Sequence, residues 1–203
     1  MEEVRLGRAS ILAFPVVRGL PSEGIAAARA VASTAPDVVA LSISPEELDG
    51  LRHHAGEPVA PENVEEEVYV AGLSAWETPV KPPPCFTEAL RAAEGSGLRV
   101  EALDMDEETY TDAYTKWVGA VELLFQGRAH SKLVRRKFRA ETPREFVLEW
   151  DAEVNRSAGF ARLQLERERH MASRLHEIAL RARRILAVIE VERSKGVLDA
   201  LHP

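Results

Sequence analysis

The stretch ILAVIEVERSKG, Ile185–Gly196, decides the fold. Five apolar residues, Ile185 to Ile189, stop at Glu190, and Glu192, Arg193 and Lys195 follow closely. A short unbroken apolar run suits a strand covered on both faces. An abrupt change to charge at its end suits the edge of a sheet where loops gather. RILAVI is therefore expected as the last strand, residues 190–195 as a charged loop, and GVLDAL as a short closing helix.

Upstream, the same pattern recurs. PDVVALSIS, Pro36–Ser44, is nearly continuous in aliphatic residues, as a doubly covered strand should be. Ser44-Pro45-Glu46-Glu47 has capping-box spacing with proline at the first helical position, so a helix starts there. SILAF (Ser10–Phe14) is the expected first strand. EGIAAARAVAST follows as an amphipathic helix capped by Ser22. CFTEALRAAEGSG then gives a helix closed by glycine, and LRVEALDM the third strand. Alternating strands and helices imply parallel pairing. The expected fold is α/β: a mostly parallel central sheet with flanking helices, and a helical insertion between the third and last core strands, about 107–158, all within one domain over 1–203. Residues 55–84 hold six of the twelve prolines and most of an acidic run. They are expected as a surface excursion with one helical turn. The insertion is expected as one long helix, or two joined near Gly127. A helix from the capping box at Thr142–Glu145 follows, then one through FARLQLERERHMASRLHEIALRA.

The composition bounds the rest. At 203 residues, 45% hydrophobic and 29% charged, the chain suits a folded domain and not a disordered one. No apolar run approaches the ~20 residues a bilayer needs, so no membrane partner is expected. The acidic start MEEVRLGRAS lacks a leader's apolar region, and the single cysteine, Cys85, suits a reducing compartment. A cytoplasmic location is the expectation. Net charge is −7, but residues 126–144 carry seven Arg/Lys against Glu141 alone. This basic segment, with Arg128, Lys132, Arg135, Arg136, Lys137 and Arg139, is either a solvated helix face over 128–139 or a phosphate or nucleic-acid surface. Aromatic interleaving is thin there, so nucleic acid is the less favoured partner. Tyr110, Tyr114, Trp117 and Phe125 belong either to packing of the insertion or to a homodimer face.

In open parallel sheets, ligands sit beyond the carboxyl ends of the strands. That rule selects Arg18 after the first strand and Ser42 and Ser44 after the second. It selects Asp104 and Asp106 after the third, and Glu190, Glu192 and Arg193 after the last. These are either ion-paired loop residues or a ligand site. Asp104, Asp106, Glu190 and Glu192 could together offer oxygen ligands to Mg²⁺ or Mn²⁺. Arg167 is sharper. At ~100° per residue it lies amid Leu163, Met171, Leu175 and Ile178, so its charge requires an acidic partner from a sheet loop or an anionic ligand. Glu166 lies beside it, rotated round the helix. None of the phosphate-loop, nucleophile-elbow, dinucleotide or zinc-helix motifs occurs.

Several stretches together resemble the TraB/pheromone-shutdown family, with more distant likeness to the Tiki metalloproteases and the erythromycin-esterase/ChaN-like proteins. Glu166, Arg167, Glu168 and Met171 occupy the places of that family's E-R-D-x-Y-M helix. ILAVI stands for its following strand and Gly196 for the last glycine of its G-x-G-H-x-x-G turn. PDVVALSI resembles its P-D-V-V-A-V-E-L strand, and EALRAAEGSGLRVEALDMD its middle passage. The resemblance covers about residues 10–201. It implies an α/β fold and, in metal-using relatives, a metal held by two motif histidines. In this sequence the first motif window, Pro15–Arg18, has no histidine, and Arg193 stands where the last imidazole belongs. Ser42 replaces a glutamate and Met105 an arginine. Guanidinium stays charged and offers only donors, so it suits an anion or a salt bridge to Asp104, Asp106, Glu190 or Glu192, not a cation.

The expected function is a TraB-like protein with a degenerate metal site and no cofactor. Its role is expected to be non-catalytic: binding of a small anionic ligand or peptide, or assembly. The alternatives are a hydrolase with a rearranged carboxylate site for Mg²⁺ or Mn²⁺, and phosphate or nucleic-acid binding through the basic segment.

Overall fold

The computed structural model describes residues 1–54, 63–119, 122–123 and 133–202. Five strands form one sheet, in the order β1-β2-β5-β3-β4. They are β1 (Glu2–Leu6), β2 (Ala9–Val16), β3 (Val38–Leu41), β4 (Arg99–Ala102) and β5 (Arg184–Glu190). β5 pairs parallel with β2 and β3, and β3 parallel with β4; β1 runs antiparallel beside β2. The fold is thus α/β with a mostly parallel sheet. The outer strand β1 is an addition to the sequence reading. Its period is two, with Val4 buried between exposed Glu3 and Arg5, and Gly7 at φ 57° turns the chain into β2.

Strand residues alternate strictly between two cores. Ile11, Ala13, Val38, Ala40, Ile185, Ala187 and Ile189 face one layer, with Met171, Leu175 and Ile178 of α7 (Ala158–Ala179) and Val197 and Leu201 of α8 (Val191–Leu201). Leu12, Phe14, Val39, Leu41, Leu186 and Val188 face the other. There they meet α1 (Pro21–Thr34), α2 (Pro45–His53) and α4 (Pro84–Gly95). Helices on both faces explain why β3 and β5 are apolar throughout. Each fully buried Ile or Leu contributes about 1.5–3 kcal/mol.

The caps follow the sequence with one exception. Ser44 Oγ accepts from Glu47 N while Glu47 returns its carboxylate to Ser44 N. Thr142 and Glu145 repeat the box at α6 (Pro143–Val154). Ser22, expected as a cap, instead lies inside α1, whose cap position is Leu20. Its amide and hydroxyl both donate to Glu77, so a distant carboxylate satisfies a helix-start amide that a local hydroxyl would otherwise serve.

Two excursions differ from expectation. The proline-rich region contains a ten-residue helix, α3 (Val64–Leu73), capped by Asn63. Tyr69 and Leu73, four apart, form a third core with Phe146, Val147 and Trp150 of α6, and with Val17, Leu20 and Val191. A Cβ at Gly72 would overlap the Phe146 ring, so glycine permits this contact. Local composition alone gave no hint of a partner some eighty residues away. The helix after Asp104 is α5 (Glu107–Trp117), which ends well before Gly127. Tyr114 and Trp117 pack with Phe160 and Leu163 of α7. Gly127 and Phe125 lie outside the described residues. No helix among the described residues is long and apolar enough to cross a membrane.

Candidate functional site

The opening stretch resolves differently from expectation at its charged end. β5 runs through Glu190 and α8 begins at Val191, so no loop intervenes. Residues 191–195 are therefore helical, and consecutive side chains diverge by ~100°. Glu192 and Arg193 point to different neighbours for this reason.

Val17-Arg18, Ser42, Asp104 and Glu190 all lie at the carboxyl ends of the parallel strands. Three guanidinium clusters gather there and along α8. In the first, Ser42 Oγ donates to Glu190 Oε2 at 2.9 Å and accepts from Glu190 N at 3.1 Å. The other oxygen of Glu190 lies 3.6 Å from Arg18 Nε, and Glu192 Oε1 lies 3.7 Å from Arg18 Nη2. Both glutamates are buried, whereas the Arg18 side chain is 37% exposed. Arg18 also lies over the Tyr69 ring, 5.6 Å from its centroid, and Tyr69 Oη donates to the Arg18 carbonyl.

In the second cluster, Arg167 grips Asp104 through Nε and Nη2, with Nε 3.1 Å from Oδ2, while Nη1 donates to Gln164 at 2.9 Å. Asp104 Oδ1 also accepts from Met105 N at 2.8 Å. The acid that Arg167 requires is thus the one on the third strand's loop. In the third, the buried Arg193 bonds Asp151 of α6 and, at 3.0 Å, Glu168 of α7. Of the acids offered as salt-bridge partners in place of an anion, Asp104, Asp106, Glu190 and Glu192, none pairs with Arg193, whereas Glu190 and Glu192 face Arg18. A Cβ at Gly196, one turn on, would overlap the Glu168 carboxylate, so glycine makes room for the contact.

Burial sets the electrostatics. It pushes the Glu190 carboxyl up to about 7, against the pull of Arg18. Burial likewise raises Glu192, again opposed by Arg18, and raises Glu168 against Arg193. Tyr69 and Cys85 are raised by burial too, which makes Cys85 an inert thiol.

Other candidates are drawn elsewhere. Ser44 caps α2, and Asp106 caps α5, where hydrogen bonding from Thr109 holds its carboxyl low. Glu166 accepts from Lys116 and from Trp117 Nε1, away from the strand ends. Among the described residues, no three His, Cys, Asp or Glu side chains group closely enough to hold a metal ion. In the basic segment, Arg128 and Lys132 lie outside the described residues. Residues 133–135 are helical but 136–140 are not, so Arg136, Lys137 and Arg139 do not share a helix face with Arg135, contrary to the expected 128–139 helix. Arg136 pairs with Glu153.

A cavity of about 550 Å³ opens over the first cluster. Arg18 and Glu190 line it together with Ile43, Phe86, Tyr69 and Trp150, and Glu47, Glu66 and Lys81 also border it. Lys81 pairs with Glu66 at 2.7 Å. The sequence reading missed Tyr69, Phe86 and Trp150 as site residues. For Tyr69, its i, i+4 spacing from Leu73 in α3 was a signal of a buried face. No protein-family model matches this sequence, and no curated protein is significantly similar to it.

Proposed function

We propose that the protein binds a small acid-bearing ligand in the cavity over Arg18, as a non-catalytic, TraB-like protein whose metal site has degenerated. The carrying observation is the uneven pairing of the three arginines. Arg167 and Arg193 are hydrogen-bonded to their carboxylates, whereas Arg18 stands 3.6 and 3.7 Å from its two and is partly open to the cavity. Charge-assisted N–H···O bonds run at ≈ 2.7–2.9 Å, so donor capacity remains on Arg18. Its Nε is buried with no hydrogen-bond acceptor among the described residues. The cavity volume lies within the usual small-ligand range. Asp104, Glu190 and Glu192 each face a permanently charged guanidinium, which disfavours a divalent cation beside them.

The test is thermal unfolding with leucine, isocaproate, acetate, phosphate, Mg²⁺ or Mn²⁺ at millimolar concentration. A carboxylate at a hundredfold excess over its Kd stabilises by about 2.7 kcal/mol. Arg18→Met should abolish that rise, and Arg18→Lys, which keeps the charge but loses the fork, should reduce it. A melting temperature raised by Mn²⁺ and restored to baseline by Asp104→Asn would instead favour the carboxylate metal site. No response to any acid-bearing probe removes the proposal.

A further inference from the structure

Resting on that reading, we infer that the ligand is a zwitterion, an apolar α-amino acid whose carboxylate meets Arg18 and whose ammonium group meets Glu190. The floor of the cavity presents both charges side by side, with Arg18 Nε 3.6 Å from Glu190 Oε1. Glu190 is held in place by Ser42, which takes its other oxygen and its backbone amide. Oε1 is therefore left facing Arg18 across a gap longer than a charge-assisted hydrogen bond. A ligand offering an acceptor to Arg18 and a donor to Glu190 from neighbouring atoms meets both charges at once. Of these two groups it is Arg18 whose buried Nε lacks an acceptor among the described residues, an arrangement a ligand can relieve.

Charge balance selects among ligand classes. Arg18 already faces two buried carboxylates, Glu190 and Glu192. A simple anion adds negative charge to a cluster that has more acid than base. A simple cation offsets that excess but brings no acceptor for Arg18 Nε. An α-amino acid leaves the net charge unchanged and supplies both partners. The reach is equally selective: each added residue moves the termini apart by up to about 3.5 Å, so a dipeptide places its two charged ends too far apart for one Arg–Glu pair. The walls carry the side chain. Ile43, Leu51, Val70, Phe86 and the rings of Tyr69 and Trp150 offer apolar surface beside the charged floor, while Glu47, Glu66 and Lys81 border the rim. Burying a branched or aromatic side chain there contributes affinity that glycine or alanine would lack.

Titration calorimetry of the full chain at pH 7.5 with leucine, phenylalanine, isocaproate (leucine without its amine) and leucyl-leucine tests this. Leucine should bind at least about tenfold more tightly than isocaproate or leucyl-leucine. Glu190→Gln should erase the gap between leucine and isocaproate. The comparison of ligands on the wild-type chain stands even where that variant fails to fold. Equal binding of leucine and isocaproate, or tighter binding of leucyl-leucine, overturns the zwitterion while leaving the acid-binding reading intact. Binding of none of the four removes both.

Discussion

Ser42 and Glu190 exchange two hydrogen bonds across the mouth of the sheet, hydroxyl to carboxylate at 2.9 Å and amide to hydroxyl at 3.1 Å. One small side chain at the end of β3 thereby fixes a carboxylate at the end of β5. Ser42→Ala removes both bonds and leaves a buried amide and a carboxylate oxygen without this partner. The expected loss is about 1–3 kcal/mol in urea unfolding. A value near zero would mean that Glu190 is held by Arg18 alone.

Arg193 joins three helices, because Asp151 lies on α6, Glu168 on α7 and Arg193 itself on α8. Arg193→Met keeps the apolar stem but strands two acids, and should lower stability by about 3–5 kcal/mol. Gly196→Ala should have a smaller effect of the same sign, because the new methyl displaces Glu168 from the pair. Chemical denaturation of both variants checks the order, and a milder effect of Arg193→Met than of Gly196→Ala would refute it.

Glu190 makes a distinct contribution to pH dependence. Its folded value is raised from 4.5 to about 7, so between these limits the folded protein holds a proton that the unfolded chain releases. Stability from this group is full below about 4.5, falls as pH rises towards about 7, and stays low above it. Arg18, Glu192, Arg167 and Asp104 face the carboxyl from the surrounding elements; the two acids, Glu192 and Asp104, push it in the same direction as burial, and the two arginines oppose. Relative to wild type, Glu190→Gln should be flatter between pH 5 and 8, by on the order of 2–3 kcal/mol. Parallel pH profiles for the two proteins would show that the group does not titrate in that range.

The basic segment makes a weaker claim on polyanions. Arg136 is paired with Glu153, and residues 136–140 do not continue the helix, so the described cations form no common helix face. Retention on a phosphate resin should therefore be slight at 0.15 M salt. Strong retention that falls steeply with salt and is lost on replacing Arg135 and Lys137 would contradict this.

Much of the fold was legible in local pattern. β3 and β5 are apolar on both faces because helices cover both. Ser44 and Thr142 announced their helices because a capping box is a contact within four residues. Arg167 was identifiable as a charge on an apolar helix face that needs an acid from a sheet loop or an anionic ligand, but which acid meets it was not. The miscapped α1 and the helix α3 were illegible for the opposite reason. Glu77 reaches Ser22 across 55 residues, and Tyr69 packs against Phe146 and Trp150 from a distant part of the chain.

By itself, then, the sequence determined the alternation of covered strands and capped helices, and with it the edge at which charged residues collect. These depend on periodicity and on bonds between near neighbours. Which arginine meets which acid was decided only in three dimensions. Direct entry of β5 into α8 rotates Glu192 and Arg193 apart, sending one towards Arg18 and the other towards Asp151 and Glu168. Ion pairs form wherever packing brings opposite charges within a few ångströms, and spacing along a chain carries no record of that.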